Sequence, residues 1–143
     1  MKDQNKLYKT ELHCHSKDAS PCGTQSAEQL VEIYQKAGYD TVVLTNHYSH
    51  LVYCHYGCKN IDEYVDIFMR GFGNMKKAAE GKLTVLLAME LRMKDTPNDY
   101  LCFGVDEDYL RNNPNIFDLT YQEFFSVCEQ KGWLFVQAHP FRH

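Results

Sequence analysis

With 143 residues, 44% hydrophobic and 24% charged, the chain has the composition of one globular domain and not of a disordered or fibrous protein. Its formal net charge is −4 and its 15 Lys and Arg are scattered, which leaves no electrostatic source for tight binding to nucleic acid. No apolar run is long enough to span a membrane, and the polar stretch Met1-Lys2-Asp3-Gln4-Asn5-Lys6 carries no signal-peptide core, so a cytoplasmic location and no membrane partner are expected.

Residues 7–15 read as a first strand that ends in Glu11-Leu12-His13-Cys14-His15. One residue apart in extended chain, His13 and His15 point to the same face. A loop over residues 16–25 follows, containing Pro21, Cys22 and Gly23. Ser26 is a good N-cap, and Leu30, Val31, Ile33, Tyr34 and Ala37 form the apolar stripe of a helix ending at Gly38. Residues 40–45 are short, β-branched and apolar, as in a parallel strand buried on both faces, and run into Asn46 and His47. Residues 48–59, rich in Tyr, His and Cys, read as irregular.

A long helix spans residues 62–80, weakened in its middle by Gly71 and Gly73 and closed by Gly81. Residues 83–89 form a third strand leading into Glu90. After a loop with Pro97, residues 100–105 form a fourth. Asn112-Asn113-Pro114-Asn115 breaks the chain, residues 120–130 form a helix with Phe124, Phe125, Val127 and Cys128 inward, and Gly132 closes it. Residues 133–137 form a fifth strand, which runs into Ala138-His139-Pro140. The six cysteines are too sparse for a secreted disulfide scaffold and are expected to be thiols, Cys102 and Cys128 buried.

Strands alternating with helices call for a parallel sheet with right-handed crossovers. Four strands end in His or Glu, and in a (β/α) barrel such residues converge on one mouth, whereas an open sheet spreads them along an edge. Five strands do not close a barrel of this kind. The chain is therefore expected to be one domain, residues 1–143, lacking its C-terminal strands, with unpaired edges that favour self-association.

His13, His15, His47, Glu90 and His139 make a set of five nitrogen and oxygen ligands suited to Zn, Mn or Fe and larger than one ion needs. A carboxylate among histidine-bound ions is suited to bridge two of them, a role that falls to Glu90. Two ions about 3.5–4 Å apart can clamp both oxygens of an in-line phosphoryl displacement, which points to phosphomonoester hydrolysis.

His13-Cys14-His15, Thr45-Asn46-His47, Met89-Glu90 and Ala138-His139-Pro140 resemble, in order, the first motifs of the PHP family, the polymerase and histidinol phosphatase phosphoesterases. The resemblance implies a distorted (β/α)7 barrel, of which about five of seven strands are present, and a centre of two or three divalent metal ions holding a hydroxide that attacks phosphorus. It implies His13, His15 and Glu90 as ligands of a first ion, Glu90 and His139 of a second, and His47 of a third. Asp99 stands where the family often has a further ligand at the start of the fourth strand, and Asp18, or less readily Cys22, where it has an acid or histidine after the first motif. Asn46 replaces the family's usual aspartate, removing a carboxylate that orients a neighbouring ligand. Arg142 and Arg92 are candidates to bind the phosphate of a small phosphorylated substrate. Competing readings are an amidohydrolase-type hydrolase, which also begins with His-x-His, a non-catalytic metal-binding fragment, and a local zinc site from His50, Cys54 and Cys58.

Overall fold

The structure is a computed structural model that describes residues 7–141, so Arg142 and the Met1–Lys6 stretch lie outside the described residues. Five strands, β1 (Thr10–Cys14), β2 (Thr41–Leu44), β4 (Thr84–Leu91), β5 (Tyr100–Phe103) and β6 (Leu134–Gln137), lie in the order β1-β2-β4-β5-β6, and the two-residue β3 (His47–Tyr48) pairs with the end of β4. Helices α1 (Ala27–Lys36), α2 (His50–His55), α3 (Ile61–Ala78), α4 (Glu107–Asn112) and α5 (Tyr121–Lys131) complete the mixed α/β fold, with a 3-10 turn at Ile116–Asp118. Among the described residues no helix is long and apolar enough to cross a membrane.

The helices begin where their caps dictate. Ser26 and Gln29 form a reciprocal capping box at α1, Thr120 and Glu123 another at α5, and the Asn60 side chain accepts from Glu63 N at α3. Residues 48–59, expected to be irregular, contain α2, started by Ser49, whose hydroxyl accepts from Val52 N. Its six residues are too few for periodicity to show.

The expectation of a wholly parallel sheet needs correction. β1, β2 and β4 are parallel, but β5 runs antiparallel to both β4 and β6. The loop between β4 and β5 carries no helix and is too short for a parallel crossover, which needs a dozen or more residues.

Register sets which residues face the helices. Val85, Met89 and Leu91 of β4 enter the cores beneath the helices, so Leu86, Ala88 and Glu90 point to the opposite face, shared by their partners Val43, Phe103 and Leu101. In β1, Glu11 pairs with Val42 but Cys14 pairs with Leu44, so one extra residue is inserted between them. Without that bulge His13 would pair with Leu44 and face the helices. With it, Cys14 takes the core position and His13 shares the face of Glu90.

The sheet also curls. β1 and β6 are four strand spacings apart, about 19 Å in a flat sheet. Yet the rings of His13, on β1, and His139, just past β6, stack with centroids 5.9 Å apart. The concave face so formed carries the exposed apolar residues Leu86, Leu134 and Val136.

Gly71, which the sequence marks as a weak point of α3, is where the helix meets the loop after β1. A Cβ there would lie 2.7 Å from Ala19 Cβ and 3.1 Å from Asn46 Nδ2. Gly73, two residues on, faces open space. Gly71→Ala is expected to destabilise the fold by about 1–3 kcal/mol despite the better helix propensity of alanine. Gly73→Ala should instead stabilise it by up to ~1 kcal/mol. Urea unfolding checks both, through midpoints that move in opposite directions with the slope unchanged.

Candidate metal centre

Four ends of chain meet at one point. His13 and His15 come from the end of β1, His47 from β3, Glu90 from the end of β4 and His139 from the turn after β6. Because β5 is antiparallel, it delivers Asp99 to the same place from its beginning.

Glu90 is 1% exposed and stands at the centre. Its Oε2 lies 3.2 Å from His13 Nε2, 3.0 Å from His15 Nε2 and 3.2 Å from His47 Nδ1. Its Oε1 lies 2.8 Å from His139 Nε2. The two oxygens are thus divided between two sets of donors. His139 adopts φ 32°, in the left-handed region, directly before Pro140, a costly backbone for a non-glycine residue. That conformation places its ring between Glu90 and Asp99 Oδ2, the latter 3.9 Å away.

The geometry fits a cation. Among the described residues Glu90 Oε2 has three ring nitrogens close by but no partner in hydrogen-bond geometry, and His15 Nδ1 is buried without one. His13 Nε2 and His15 Nε2 are 2.9 Å apart. Atoms that carry lone pairs gain nothing from so close an approach unless a proton or metal ion lies among them. His13, His15 and Glu90 form one group of convergent ligand atoms, His47, Glu90 and Asp99 a second, and His15, Cys22 and His47 a third. Four imidazoles and two carboxylates are the donors that Zn, Mn and Fe take.

Burial alone would push the Glu90 carboxyl up, but the contacts with His13 and His15 and the charge of His47 together hold it well below the usual carboxylate range. The contact with Glu90 raises His13 above its ordinary value, whereas burial lowers His47. In Cys14, behind β1, burial pushes the thiol up to about 11.

The remaining candidates have other partners. Asp99, 3% exposed, takes a bidentate pair from Arg92, with Nε to Oδ1 and Nη2 to Oδ2 each at 2.7 Å. Asp18 accepts from Ala27 N at 3.3 Å at the start of α1 and joins none of the three groups. Cys54 Sγ lies 3.7 Å from His50 Nδ1 on the outside of α2, and the described residues bring no third ligand to them.

A supporting network lay unseen in the sequence. Asn46 Oδ1 accepts from Ser16 N at 2.9 Å and from Ser20 Oγ at 3.1 Å, and its Nδ2 donates to Ser16 Oγ at 3.2 Å. Ser20 Oγ in turn accepts from His47 N at 2.8 Å. An asparagine both accepts and donates here, which a carboxylate cannot, so Asn46 ties the loop after β1 to the strand that carries His47. The small residues Ser16, Ala19 and Ser20 were the signal for a tightly folded loop.

His13, His15, Cys22, His47, Glu90, Arg92, Asp99 and His139 line one cavity of about 390 Å³. A second, of about 310 Å³, adjoins it and shares Arg92, Asp99 and His139.

No family model matches the chain, and no curated protein does. Among solved structures it is similar in fold to a protein of Bifidobacterium adolescentis provisionally described as a metal-dependent phosphoesterase, with a TM-score of 0.51 and 22% identity over 78% of this chain. The chain spans 32% of that protein's length.

The opposed shifts of His13 and His47 give the metal-free chain a pH signature. His13, raised by Glu90, contributes stability that is complete below its unfolded value of 6.5 and lost as pH rises through its folded value. His47, lowered by burial, contributes the reverse, stability present above 6.5 and lost as pH falls through its folded value. Over about pH 5 to 8, urea midpoints measured with excess chelator should peak near the middle, and Glu90→Gln should remove the decline on the alkaline side.

Proposed function

We propose that the chain forms the metal-binding part of a phosphoesterase of the PHP type that hydrolyses small phosphate monoesters. The observation that carries this reading is the Glu90 carboxylate, buried, with Oε2 facing three imidazoles and Oε1 facing a fourth. The fold neighbour, described as a metal-dependent phosphoesterase, supports it at the level of fold.

In this reading His13, His15 and His47 with Glu90 would hold one ion, and His139 and Asp99 with Glu90 would hold a second. The ions, Zn, Mn or Fe, supply Lewis-acid charge and acidify water when bound. The chain's own residues do the rest. Imidazoles stacked on one another (His15 on His47 at 4.6 Å, His13 on His139 at 5.9 Å) are held in orientation before any ligand arrives. Arg92 uses one edge of its guanidinium on Asp99 and brings its remaining donors to the cavity, where a phosphate of the substrate would sit. Asp99 in return is fixed beside His139.

The test is turnover by the purified chain reconstituted in turn with Zn, Mn and Fe(II), on phosphate monoesters, a phosphodiester, an amide and a lactone. Monoester hydrolysis that falls at least about 100-fold in Glu90→Gln and in His139→Gln is the expected result. Turnover confined to the amide or lactone would assign the site to the amidohydrolase type. Ions bound without turnover of any ester would make it a non-catalytic metal-binding fold.

A further inference from the structure

Two residues before His13, Glu11 turns its carboxylate back onto its own backbone. It lies on β1, at the edge of the sheet, where the extra residue is inserted. In regular extended chain successive N–H groups point to opposite sides, so one acceptor does not reach two of them. Here Glu11 Oε1 accepts from Leu12 N at 2.9 Å and from His13 N at 3.0 Å. The next donor, Cys14 N, goes to Thr45 Oγ1 at 3.0 Å, and that buried hydroxyl donates back to Cys14 O at 3.2 Å. Three successive backbone donors are thus held by side-chain oxygens. Tyr34 of α1 donates to Glu11 Oε2 at 3.5 Å and packs against the core that contains Cys14, which ties the carboxylate to the helix. Glu11 joins none of the groups of convergent ligand atoms.

We propose that Glu11 is a positioning residue for the metal centre, whose carboxylate holds the β1 bulge closed and so keeps His13 on the face of Glu90. The proposal rests on the reading that the Glu90 cluster binds metal. Pairing with β2 creates the bulge, since Glu11 lies opposite Val42 and Cys14 opposite Leu44. It leaves the N–H groups of the two residues between them outside the ladder, and these need acceptors. Leu12 is 55% exposed, so water can take the place of Glu11 there at little cost to the fold. Water does not fix the direction of the chain. His13 Nε2 stands 3.2 Å from Glu90 Oε2 and 2.9 Å from His15 Nε2, and a ring carried on two rotatable bonds amplifies any turn of the backbone beneath it. Without the carboxylate, the register in which His13 faces the helices competes with the one that serves the site.

Cobalt(II) reports the geometry directly, because its visible d–d bands follow the number and arrangement of its ligands. Chelator-stripped full chain is titrated with Co(II) as wild type, Glu11→Ala, Glu11→Gln and Thr10→Ala. Glu11→Gln keeps an acceptor oxygen and loses the charge, while Thr10→Ala changes an exposed neighbour on the same strand. Co(II) affinity is expected to fall about 10–100-fold in Glu11→Ala, with altered d–d bands at saturation, and to stay near wild type in the other two. Urea midpoints of the four metal-free chains should lie together, which separates positioning from folding. Hydrogen exchange of the zinc-loaded wild type should show the Leu12 and His13 amides protected. Wild-type affinity and bands in Glu11→Ala, whatever its midpoint, or an equal loss in Glu11→Gln, overturns the proposal and leaves the Glu90 centre standing. Should Glu11→Ala fail to fold, rapid exchange of the Leu12 and His13 amides beside a protected Cys14 overturns it, and protection of both with wild-type bands in Glu11→Gln sustains it. Absence of Co(II) binding by the wild type overturns the metal reading itself.

Discussion

A buried carboxylate surrounded by four imidazoles is the constraint on which the rest of the fold depends. At 1% exposure, Glu90 has lost its water, and an ionised carboxylate in that position costs several kcal/mol unless opposite or hydrogen-bonding groups surround it. The groups that do so come from β1, from β3 and from the turn after β6, that is, from both edges of the sheet and from its middle. A flat sheet cannot bring them together. Curling of the sheet, the bulge in β1 and the left-handed backbone of His139 are three local distortions with one common effect, which is to aim imidazoles at Glu90.

Behind the ligands lies a layer of small polar residues that determines their positions. Asn46 closes the loop from Ser16 to Ser20, Ser20 holds the backbone of His47, and Gly71 lets α3 approach close enough to cover Ala19 and Asn46. These groups are buried and hydrogen-bonded, and a gap in such a network is costly because an unpaired buried polar group forfeits its hydration without compensation. The resemblance to the PHP family marks Asn46 as the loss of an orienting carboxylate. In the structure the amide has its own use, because its Nδ2 donates to Ser16 Oγ while its Oδ1 accepts twice.

Much of this was legible in the chain. Strands running into His-x-His, His47, Glu90 and His139 stand out as a set, since a single histidine at a strand end is usually structural, and the cap at Ser26 marks its helix at once. What stayed hidden is of a different kind. The bulge between Glu11 and Cys14 depends on pairing with β2, and no local pattern encodes it. The direction of β5 was written in the short, helix-free loop before it, yet the alternation of strands and helices elsewhere favoured a parallel reading. The small helices α2 and α4 follow from the caps Ser49 and Asp106 and not from periodicity, which six residues cannot display. The nearness of Cys22 to His15 and His47 arises from Ser16, Ser20 and Asn46, residues that carry no signature of a metal site.

Because the ligands join both edges of the sheet, the site and the stability of the fold are the same set of contacts. The helix-packed face is filled by two apolar cores, around Tyr64 and Phe68 on one side and Val31 and Leu44 on the other. Among the described residues the concave face has no such cover, since Leu86, Leu134 and Val136 are exposed, and what draws its edges together is the polar cluster at one end. Hydrophobic burial therefore fixes how the sheet meets its helices, while the electrostatics of Glu90 fix how strongly it curls. A substitution at Glu90 removes the acceptor on which four imidazoles converge, so its effects on chemistry and on shape cannot be separated by activity alone.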